Sequence, residues 1–296
     1  MKAWWLSKLN SEETMQTDSV RVVELGPVRA CVESHRSWGR SHLIERCYIY
    51  QSYPRIDYHL EVHWLEAGSK TKDSPMLRAH FPLNLKEVRF SNHVPFAVLD
   101  RPVDGQEVPA QRWVDVTDGT NGIALLNKTK YGHSFRNDTL RLTLLRSSAE
   151  PDYYPNLGRM LIDYALFPHT GDWRNGVWKE GDLFNNPVYA AEPASLSMKP
   201  VASLPEEASL YELSSPDVVM TGMKKAEDSD KLIIRLCEVA GENKKVTLRL
   251  PRSIKYAERM DILERRLKGV ASPMVEGDKV HLTIQPYEIV TLGVDL

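Results

Sequence analysis

Tyr58-His-Leu-Glu-Val-His-Trp64 is the stretch that decides the fold class, because apolar and polar side chains alternate along it. Successive side chains of a β-strand point to opposite faces of the sheet. His59, Glu61 and His63 are therefore predicted on one face and the apolar residues on the other. A strand with one buried face requires this pattern. The alternation recurs at residues 140–144, 246–250 and 280–284.

Short alternating runs follow one another along the chain, with turn residues between them and little that repeats at helical spacing. This organisation predicts an all-β protein built from antiparallel sheets stacked as sandwiches. The one helix that we predict covers residues 256–267, where Met260, Leu263 and Leu267 share a stripe. The run Gly-Asp-Leu-Phe-Asn-Asn-Pro-Val at 181–188 is typical of a loop.

A domain boundary is predicted where Pro193, Pro200 and Pro205 punctuate a stretch rich in Ala and Ser. We therefore predict a large β domain at residues 1–195 and a small one at 205–296. Both lengths fall within the usual range for domains.

The charge balance excludes several classes of partner. Lys and Arg together number 38 against 40 for Asp and Glu, which gives a formal net charge of -2. No broad positive field is available to hold phosphate backbones or anionic lipid, so neither nucleic acid nor a membrane is expected as a partner. With 42% hydrophobic residues, the chain of 296 residues has enough apolar surface for a sizeable core.

The cysteines and the first residues predict a cytoplasmic protein. Cys31, Cys47 and Cys237 are sparse and lack Cys-x-x-Cys spacing, which favours a reduced compartment over a disulfide framework. The start of the chain reaches Lys8 and Asn10 before an apolar core of signal-peptide length can form. No later segment approaches the roughly 20 apolar residues of a membrane-spanning helix.

Several short motifs occur in a fixed order along nearly the whole chain. They open with Glu24-Leu-Gly-Pro-Val-Arg-Ala30, continue through the block at 108–169, and end with Ile284-Gln-Pro-Tyr-Glu-Ile-Val-Thr-Leu292. In this order they resemble the carboxy-terminal half of the α-mannosidases of glycoside hydrolase family 38. The resemblance implies a galactose-mutarotase-like super-sandwich followed by a smaller antiparallel β-sandwich.

The same resemblance implies a partner. Family 38 enzymes resemble one another in a zinc-bearing amino-terminal barrel that supplies an Asp nucleophile. Its Gly-His-x-His-x-Asp-x-x-Trp signature is absent from these 296 residues. We therefore expect no catalytic residue in this chain, and zinc only in the barrel. The expected role is to pack against that barrel and to complete its pocket for a mannose-containing sugar. An exposed interface of this kind leaves self-association into a homo-oligomer open.

His59, Glu61 and His63 are the best metal candidates within the chain, since two alternate imidazoles of one strand can chelate zinc. The outer pair stand about 13 Å apart along a straight strand, so all three converge only if the strand bends. A solvated outer face is the favoured interpretation, and we predict no metal site here.

Arg112, Trp113, Asp115 and His169 are the candidate carbohydrate-facing residues. An indole face can lie against the C–H surface of a sugar, while Arg and Asp bridge hydroxyls and a histidine at a strand end donates to one. Strand alternation separates Trp113 and Asp115 from Arg112. The alternative is that Trp113 belongs to the core, Arg112 and Asp115 form an internal polar pair, and His169 belongs to a turn.

Two other functions remain open. A mutarotase-like epimerase needs a His acid and a Glu base across a cleft, for which His169 and Glu61 are the candidates. Met160 stands where the resemblance expects a histidine, which weakens a polar role for that strand. The three cysteines are expected to be buried and unreactive. A free-standing carbohydrate-binding module needs an exposed row of aromatics, for which the chain offers Trp4, Trp5, Trp38, Trp173 and Trp178.

Overall fold

The computed structural model describes residues 9–69, 74–150, 152, 156–190 and 207–296. These residues form 21 β-strands and one α-helix, so the all-β prediction is confirmed. The strands and the helix are β1 (Gln16–Leu25), β2 (Arg29–Trp38), β3 (Ser41–Tyr50), β4 (Ile56–Trp64), β5 (Met76–Pro82), β6 (Arg89–Val94), β7 (Ala97–Arg101), β8 (Val108–Pro109), β9 (Trp113–Thr117), β10 (Asn121–Asn127), β11 (Gly132–Arg136), β12 (Thr139–Arg146), β13 (Gly158–Thr170), α1 (Val177–Asn185), β14 (Glu212–Leu213), β15 (Val218–Lys225), β16 (Leu232–Glu238), β17 (Lys244–Arg249), β18 (Tyr256–Met260), β19 (Met274–Glu276), β20 (Lys279–Ile284) and β21 (Ile289–Asp295).

The chain divides into two compact units, Met1–Tyr189 and Ala190–Leu296. A large sandwich followed by a smaller one is the arrangement that the sequence predicts. The boundary predicted between Pro193 and Pro205 lies outside the described residues, and its exact limits stay a prediction.

The first unit contains a sheet of nine strands and a sheet of four. The wide sheet has the order β1-β2-β3-β4-β13-β10-β9-β6-β7, and the narrow sheet has the order β5-β12-β11-β8. Neighbouring strands pair in antiparallel register, with Ile162 of β13 opposite Leu60 of β4, for example. The predicted alternation on β4 is confirmed, because Leu60, Val62 and Trp64 are buried while the intervening residues lie on the other face.

The core of the first unit lies between the two sheets. The inner face of the wide sheet contributes Leu60, Ile162 and Val114, and the narrow sheet contributes Leu140 and Leu142. Strands about 4.8 Å apart make nine strands about 38 Å wide and four strands only about 14 Å wide. The narrow sheet therefore cannot cover the whole inner face of the wide one.

Helix α1 covers part of the outer face of the wide sheet. It includes the first residues of the segment 181–188, for which the sequence predicts a loop. That prediction is wrong for 181–185. The spacing of Val177, Gly181 and Phe184 places all three on one side of the helix, and each is buried. Gly181 lies against the indole of Trp113. The Gly and Asn residues that suggested a loop are accommodated because this packing outweighs weak helix propensity.

The second unit is a sandwich of two four-stranded sheets, ordered β14-β17-β20-β19 and β15-β16-β21-β18. Its core contains Leu236, Val246, Val280 and Leu292, of which Val246 and Val280 alternate with exposed or half-buried residues on their strands. Strands β17 and β20 include the alternating runs predicted at 246–250 and 280–284, except for the last residue of the first run.

The helix predicted at 256–267 is wrong, because β18 occupies the first residues of that segment. Ala257 is buried opposite Val294 of β21. A turn then begins at Asp261, whose carboxylate accepts hydrogen bonds from the backbone N–H groups of Leu263 and Arg265. Leu263 is exposed, so the apolar stripe that suggested a helix contacts no core.

We expect the substitution Gly181→Ala to destabilise the first unit by about 1–3 kcal/mol, although alanine favours helices over glycine. A Cβ at this position would overlap the indole of Trp113, which is itself fully buried and cannot move away cheaply. Urea unfolding would measure the change. Lys179→Ala, at an exposed position of the same helix, is the matched control. A gain in stability in Gly181→Ala would contradict close packing of α1 on β9.

Candidate functional site

Three of the four predicted carbohydrate-facing residues come together on the outer face of the wide sheet. Trp113 and Asp115 point the same way from β9, and His169 reaches them from the end of β13. Arg112 precedes β9, and its guanidinium pairs with Asp182 of α1. The backbone therefore separates Arg112 from Trp113 and Asp115, as strand alternation predicts.

Asp115 and His169 form a buried pair across an intervening strand. The Nε2 atom of His169 lies 2.8 Å from Oδ1 of Asp115, and both side chains are almost fully buried. Between them lies β10, where a Cβ on Gly122 would overlap the imidazole ring. Only glycine leaves room for the ring to lie over β10, so Gly122 permits the contact.

Burial and pairing act on the two groups in opposite senses. Burial raises the pKa of Asp115, and the hydrogen bond with His169 offsets only part of that rise. Burial by itself would lower the pKa of His169, but the hydrogen bond and charge of Asp115 outweigh it, so the pKa of His169 is raised. Within the described residues, the second carboxylate oxygen of Asp115 has no hydrogen-bond partner. A histidine partner is therefore what makes this carboxylate tolerable inside the protein.

An aromatic cluster surrounds Trp113. His93 of β6 stacks on its indole with ring centroids 5.5 Å apart, Trp178 meets His93 edge-on at 4.5 Å, and Trp173 lies 5.7 Å from Trp113. Burial, followed by the nearby Arg112 guanidinium, lowers the pKa of His93 to about 4. Its Nδ1 accepts a hydrogen bond from the backbone N–H of Arg112. Sequence reasoning missed His93, since only pairing of β6 with β9 brings it beside Trp113.

Arg112 bonds to Asp182 of α1, and Asp115 bonds to His169. The alternative of an internal pair between Arg112 and Asp115 is therefore wrong. Of the four candidate residues, only Arg112 has a partly exposed side chain, at 35% of its full accessibility. Trp113 is fully buried, as the alternative that places it in the core requires. The carbohydrate-facing role of the group stays a prediction, with Arg112 as the member that reaches the surface.

A second polar network reaches the same buried side of α1 through Glu180. The phenol of Tyr53 donates to Glu180 of the helix, and Arg55 lies 3.5 Å from the same carboxylate. Arg55 also pairs with Asp57 at 2.6 Å, and Asp57 accepts from Tyr50. Helix α1 is thus held both by its apolar side and by charged residues of β4 and the loop before it.

The row of His59, Glu61 and His63 lies on the outer face, and its members have separate partners. His59 Nδ1 lies 2.7 Å from Asp163, and Glu61 pairs with Arg159 at 2.6 Å. His63 meets the ring of His42 edge-on. Within the described ranges, no group of three or more His, Cys, Asp or Glu is arranged to hold a metal ion. The resemblance implies zinc in the barrel, and these three side chains are engaged with separate partners.

The outer face of β1 to β4 carries alternating charges instead. Glu33 accepts hydrogen bonds from Arg21 at 2.6 Å and from Arg46 at 2.8 Å, and His35 lies within 2.9 Å. The hydrogen bonds with His35 and Arg21 lower the pKa of Glu33 to about 2. The row continues across the sheet to the pair of His59 and Asp163. These contacts are those of a structural outer face.

The acid and base considered for an epimerase are not together. Glu61 lies opposite Leu161 in the β4–β13 ladder, whereas His169 lies near the far end of β13, opposite Gly122 of β10. Met160 packs against the core on the inner face. A general acid and base must both reach the same substrate, and these two residues do not.

The three free cysteines are shielded from solvent to different degrees. Cys31 and Cys237 are buried and Cys47 is half-buried, and burial raises the pKa of all three thiols, that of Cys237 to about 11. Thiols of this kind are poor nucleophiles at neutral pH.

Trp173 and Trp178 belong to the outer cluster and Trp38 lies on the inner face, so these three do not form an exposed row. Trp4 and Trp5 lie outside the described residues.

Two family models match this chain. The model described as "Glycosyl hydrolases family 38 C-terminal domain" matches residues 1–154, and the "Glycosyl hydrolases family 38 C-terminal beta sandwich domain" matches residues 217–292. The first of these covers more than half of the chain.

Curated relatives and solved structures agree with these matches. The chain is 33% identical over 251 residues to alpha-mannosidase 2C1 of Homo sapiens, covering 81% of this chain and 23% of that protein. It is 27% identical over 236 residues to alpha-mannosidase G of Dictyostelium discoideum, covering 75% of this chain and 21% of that protein. An alpha-mannosidase structure from Enterococcus faecalis V583 has a TM-score of 0.75 at 15% identity, covering 95% of this chain and 35% of that one.

The chain therefore spans about a quarter or less of the length of these curated relatives. The likeness to the solved structure supports the fold, and the two family models support membership of the family. Across the described residues, no helix is both long enough and apolar enough to cross a membrane.

We predict that the stability contributed by neutral, buried His93 is lost as the pH falls. Its folded pKa of about 4 lies below the value of about 6.5 for an unperturbed histidine, so the unfolded chain binds the proton more readily between these values. The stabilising effect of neutral His93 is complete above its pKa in the unfolded chain. It declines as the pH falls toward its pKa in the folded protein. The cost of His93→Gln in unfolding free energy should shrink by roughly 2 kcal/mol between about pH 7 and about pH 5.

Urea unfolding of both proteins at the two pH values measures this change. Gln51→Ala, at an exposed position with no titratable group, is the control and should show the same difference from the parent at both values. A cost of His93→Gln that did not depend on pH would show that His93 is not held neutral by burial.

Proposed function

The chain belongs to glycosyl hydrolase family 38, of which it forms a carboxy-terminal region, and we propose that it packs against the catalytic barrel of an α-mannosidase. In this proposal the barrel supplies the nucleophile and the zinc, and the β region completes the pocket for a mannose-containing sugar. The names of the curated relatives support the substrate class. Three free thiols and a near-neutral charge fit a cytoplasmic enzyme, which we propose as its location.

The observation that carries the proposal is an exposed apolar row at the edge of the wide sheet. Val20 and Val22 of β1 are 61% and 63% exposed, and Leu25 and Val28 at the following turn are also exposed. Exposed apolar residues that lie together are typical of a surface that another protein region covers. We propose that the catalytic barrel is that region.

Two carboxylates of the outer face, Asp163 and Asp115, have structural partners. Asp163 accepts from His59 and from Lys128, and Asp115 is buried against His169. A retaining glycosidase needs one carboxylate as nucleophile and a second group as acid, both facing the glycosidic bond. Neither Asp163 nor Asp115 has that arrangement, which supports placing the chemistry in the barrel.

Within this proposal, Arg112 and Asp182 are the residues that face the sugar pocket. Their side chains are 35% and 49% exposed and bond to each other at the surface of α1. Trp113, Asp115 and His169 then have a supporting role, because they hold α1 and the turn before it on the sheet. An exposed Arg and Asp together can donate to and accept from adjacent hydroxyls.

We expect the isolated chain to hydrolyse no chromogenic α-mannoside above background, with or without added zinc. Addition of a separately produced family 38 catalytic region from the same organism should give zinc-dependent turnover. An assay of released chromophore measures both. The control replaces this chain by an unrelated β-sandwich protein. Turnover by the 296-residue chain alone would contradict the proposal.

The apolar row predicts a second outcome. Val20→Lys combined with Val22→Lys should weaken association with the catalytic region by about tenfold or more, since two apolar contacts are lost and charges are introduced. Both positions are exposed, so the unfolding free energy should change by no more than about 0.5 kcal/mol. Sedimentation or calorimetry measures the affinity. Leu161→Lys, an exposed apolar position of the outer face, is the control; equal affinity in all proteins would place the interface elsewhere.

A further inference from the structure

A turn of the second unit, residues 261–267, carries two apolar side chains into solvent. Ile262 and Leu263 are neighbours at its tip and are 69% and 67% exposed. Single exposed apolar residues are ordinary on protein surfaces. Two that the backbone holds side by side in water are less so, since this arrangement keeps apolar area hydrated.

Hydrogen bonds within the turn fix its backbone. The carboxylate of Asp261 accepts from the backbone N–H groups of Leu263 and Arg265 at 2.9 and 3.0 Å, and from Arg265 Nε at 2.8 Å. The backbone N–H of Asp261 donates in turn to the carbonyl of Arg265 at 2.8 Å. The two sides of the turn are therefore joined to each other, and residues 262–264 form its tip.

Glu264 ties the tip to the outer face of the sheet β15-β16-β21-β18. Its carboxylate accepts from Lys224 Nζ at 2.8 Å and from the backbone N–H of Glu227 at 3.0 Å, and its side chain is only 11% exposed. Arg235 of β16 donates to the carbonyl of Ile262 at 3.0 Å. Glu264 also adopts a φ of 65°, which costs free energy in a residue other than glycine. The exposed tip is thus held in one place by cross-strand contacts and at some cost in strain.

A basic flank lies on one side of the apolar tip. Arg265 and Arg266 are 71% and 64% exposed, and Arg266 lies opposite Met260 of β18, at the edge of the sheet. The carboxylates that these arginines contact are more shielded, because Asp261 is 27% exposed and Glu258 is 8% exposed. The charge that this flank presents to another molecule is therefore positive.

An acidic flank lies on the other side of the tip, at the turn between β15 and β16. Glu227, Asp228 and Asp230 are exposed there, and the backbone N–H of Glu227 joins this turn to the tip. Lys224 pairs with Glu227 and Lys225 pairs with Asp230. These two lysines balance two of the three carboxylates, which leaves the charge of Asp228 in excess.

We propose that this surface binds a second copy of the chain in an isologous dimer, with the apolar tips of residues 262 and 263 in contact across the two-fold axis. A surface ordered basic, apolar and acidic is complementary to itself, because a two-fold rotation that places tip on tip brings each basic flank against the acidic flank of the other copy. A partner of another kind requires no such symmetry of charge.

The build of the tip suits this role. Apolar residues at the centre with charged residues around them are the ordinary anatomy of a protein interface, and a tip that is already rigid loses little conformational freedom on binding. Two apolar side chains from each copy make a small contact, so we expect dissociation in roughly the micromolar range. The proposal goes beyond the proposed function, because it involves neither a catalytic region nor the apolar row of β1.

Sedimentation equilibrium of the 296-residue chain over a range of protein concentrations tests the proposal. The parent should show a monomer–dimer equilibrium. Leu263→Lys should weaken dimerisation by about a hundredfold, because each of the two copies loses an apolar contact worth about tenfold. Met274→Lys is the matched control, since Met274 is 63% exposed on the other sheet of the same unit. Val20→Lys should also leave dimerisation unchanged, which separates this contact from the row on β1.

An exchange of charges tests the symmetry. Arg266→Asp and Asp228→Arg should each weaken dimerisation by about tenfold or more, since each places like charges together at both ends of the contact. A mixture of the two variants should recover the affinity of the parent, because both flank contacts of the mixed dimer again join opposite charges. Glu258 keeps its contact with Lys231 in Arg266→Asp, and thermal unfolding verifies that every variant is folded.

Four results would each overturn the proposal: a parent that stays monomeric at every concentration, a dimer that folded Leu263→Lys leaves intact, a dimer that Met274→Lys or Val20→Lys disrupts, and a mixture that associates no more tightly than its two components. None of these measurements includes a catalytic region or mannosidase turnover. The proposed function is therefore tested separately from the dimer.

Discussion

The first unit is governed by a mismatch in width between two sheets that pack face to face. Nine strands cannot be covered by four, since strand spacing is fixed by backbone hydrogen bonding at about 4.8 Å. The inner face beyond β5 must therefore be left open, filled by a loop or covered by another region. All three conditions are relevant here: a cleft beside β5 is open, the segment before β1 contacts both sheets, and the apolar row of β1 is exposed.

The outer face of the wide sheet has two parts, one covered by the helix and one open to solvent. Over β9, β10 and β13 most side chains are apolar apart from the buried pair of Asp115 and His169, and α1 and Trp173 cover the apolar ones. Over β1 to β4 they are largely charged, and exposed ion pairs such as that of Glu24 with Arg29 cross the strands. Exposed ion pairs contribute little to stability, so this half is built for solvation more than for strength. The change from apolar to charged occurs between Ala165 and Asp163 of β13.

Alternation within a strand was enough to predict which side chains share a face, and this succeeded for Tyr58 to Trp64 because such patterns are local. It could not predict the partner of Asp115, since His169 lies 54 residues away and reaches it only through the order β9-β10-β13. The same limit explains the errors at 256–267 and 181–185. Leu263 fits a helical stripe but contacts no core, and Gly181 looks like a loop residue until Trp113 is placed beside it. The cleft is likewise invisible in the sequence, because it depends on which strand ends the narrow sheet.

Glu33 and Glu45 show how the two faces of one sheet can give the same side chain different chemistry. Both are glutamates of adjacent strands with arginine neighbours, but Glu33 is saturated by close hydrogen bonds and is only 5% exposed, whereas Glu45 has two long contacts and is 21% exposed. A carboxylate whose lone pairs are all used by close donors stabilises the fold. One whose lone pairs are partly free carries a desolvation cost that only water can offset. The face of the sheet on which each glutamate lies, and not its residue type, is what decides between these two states.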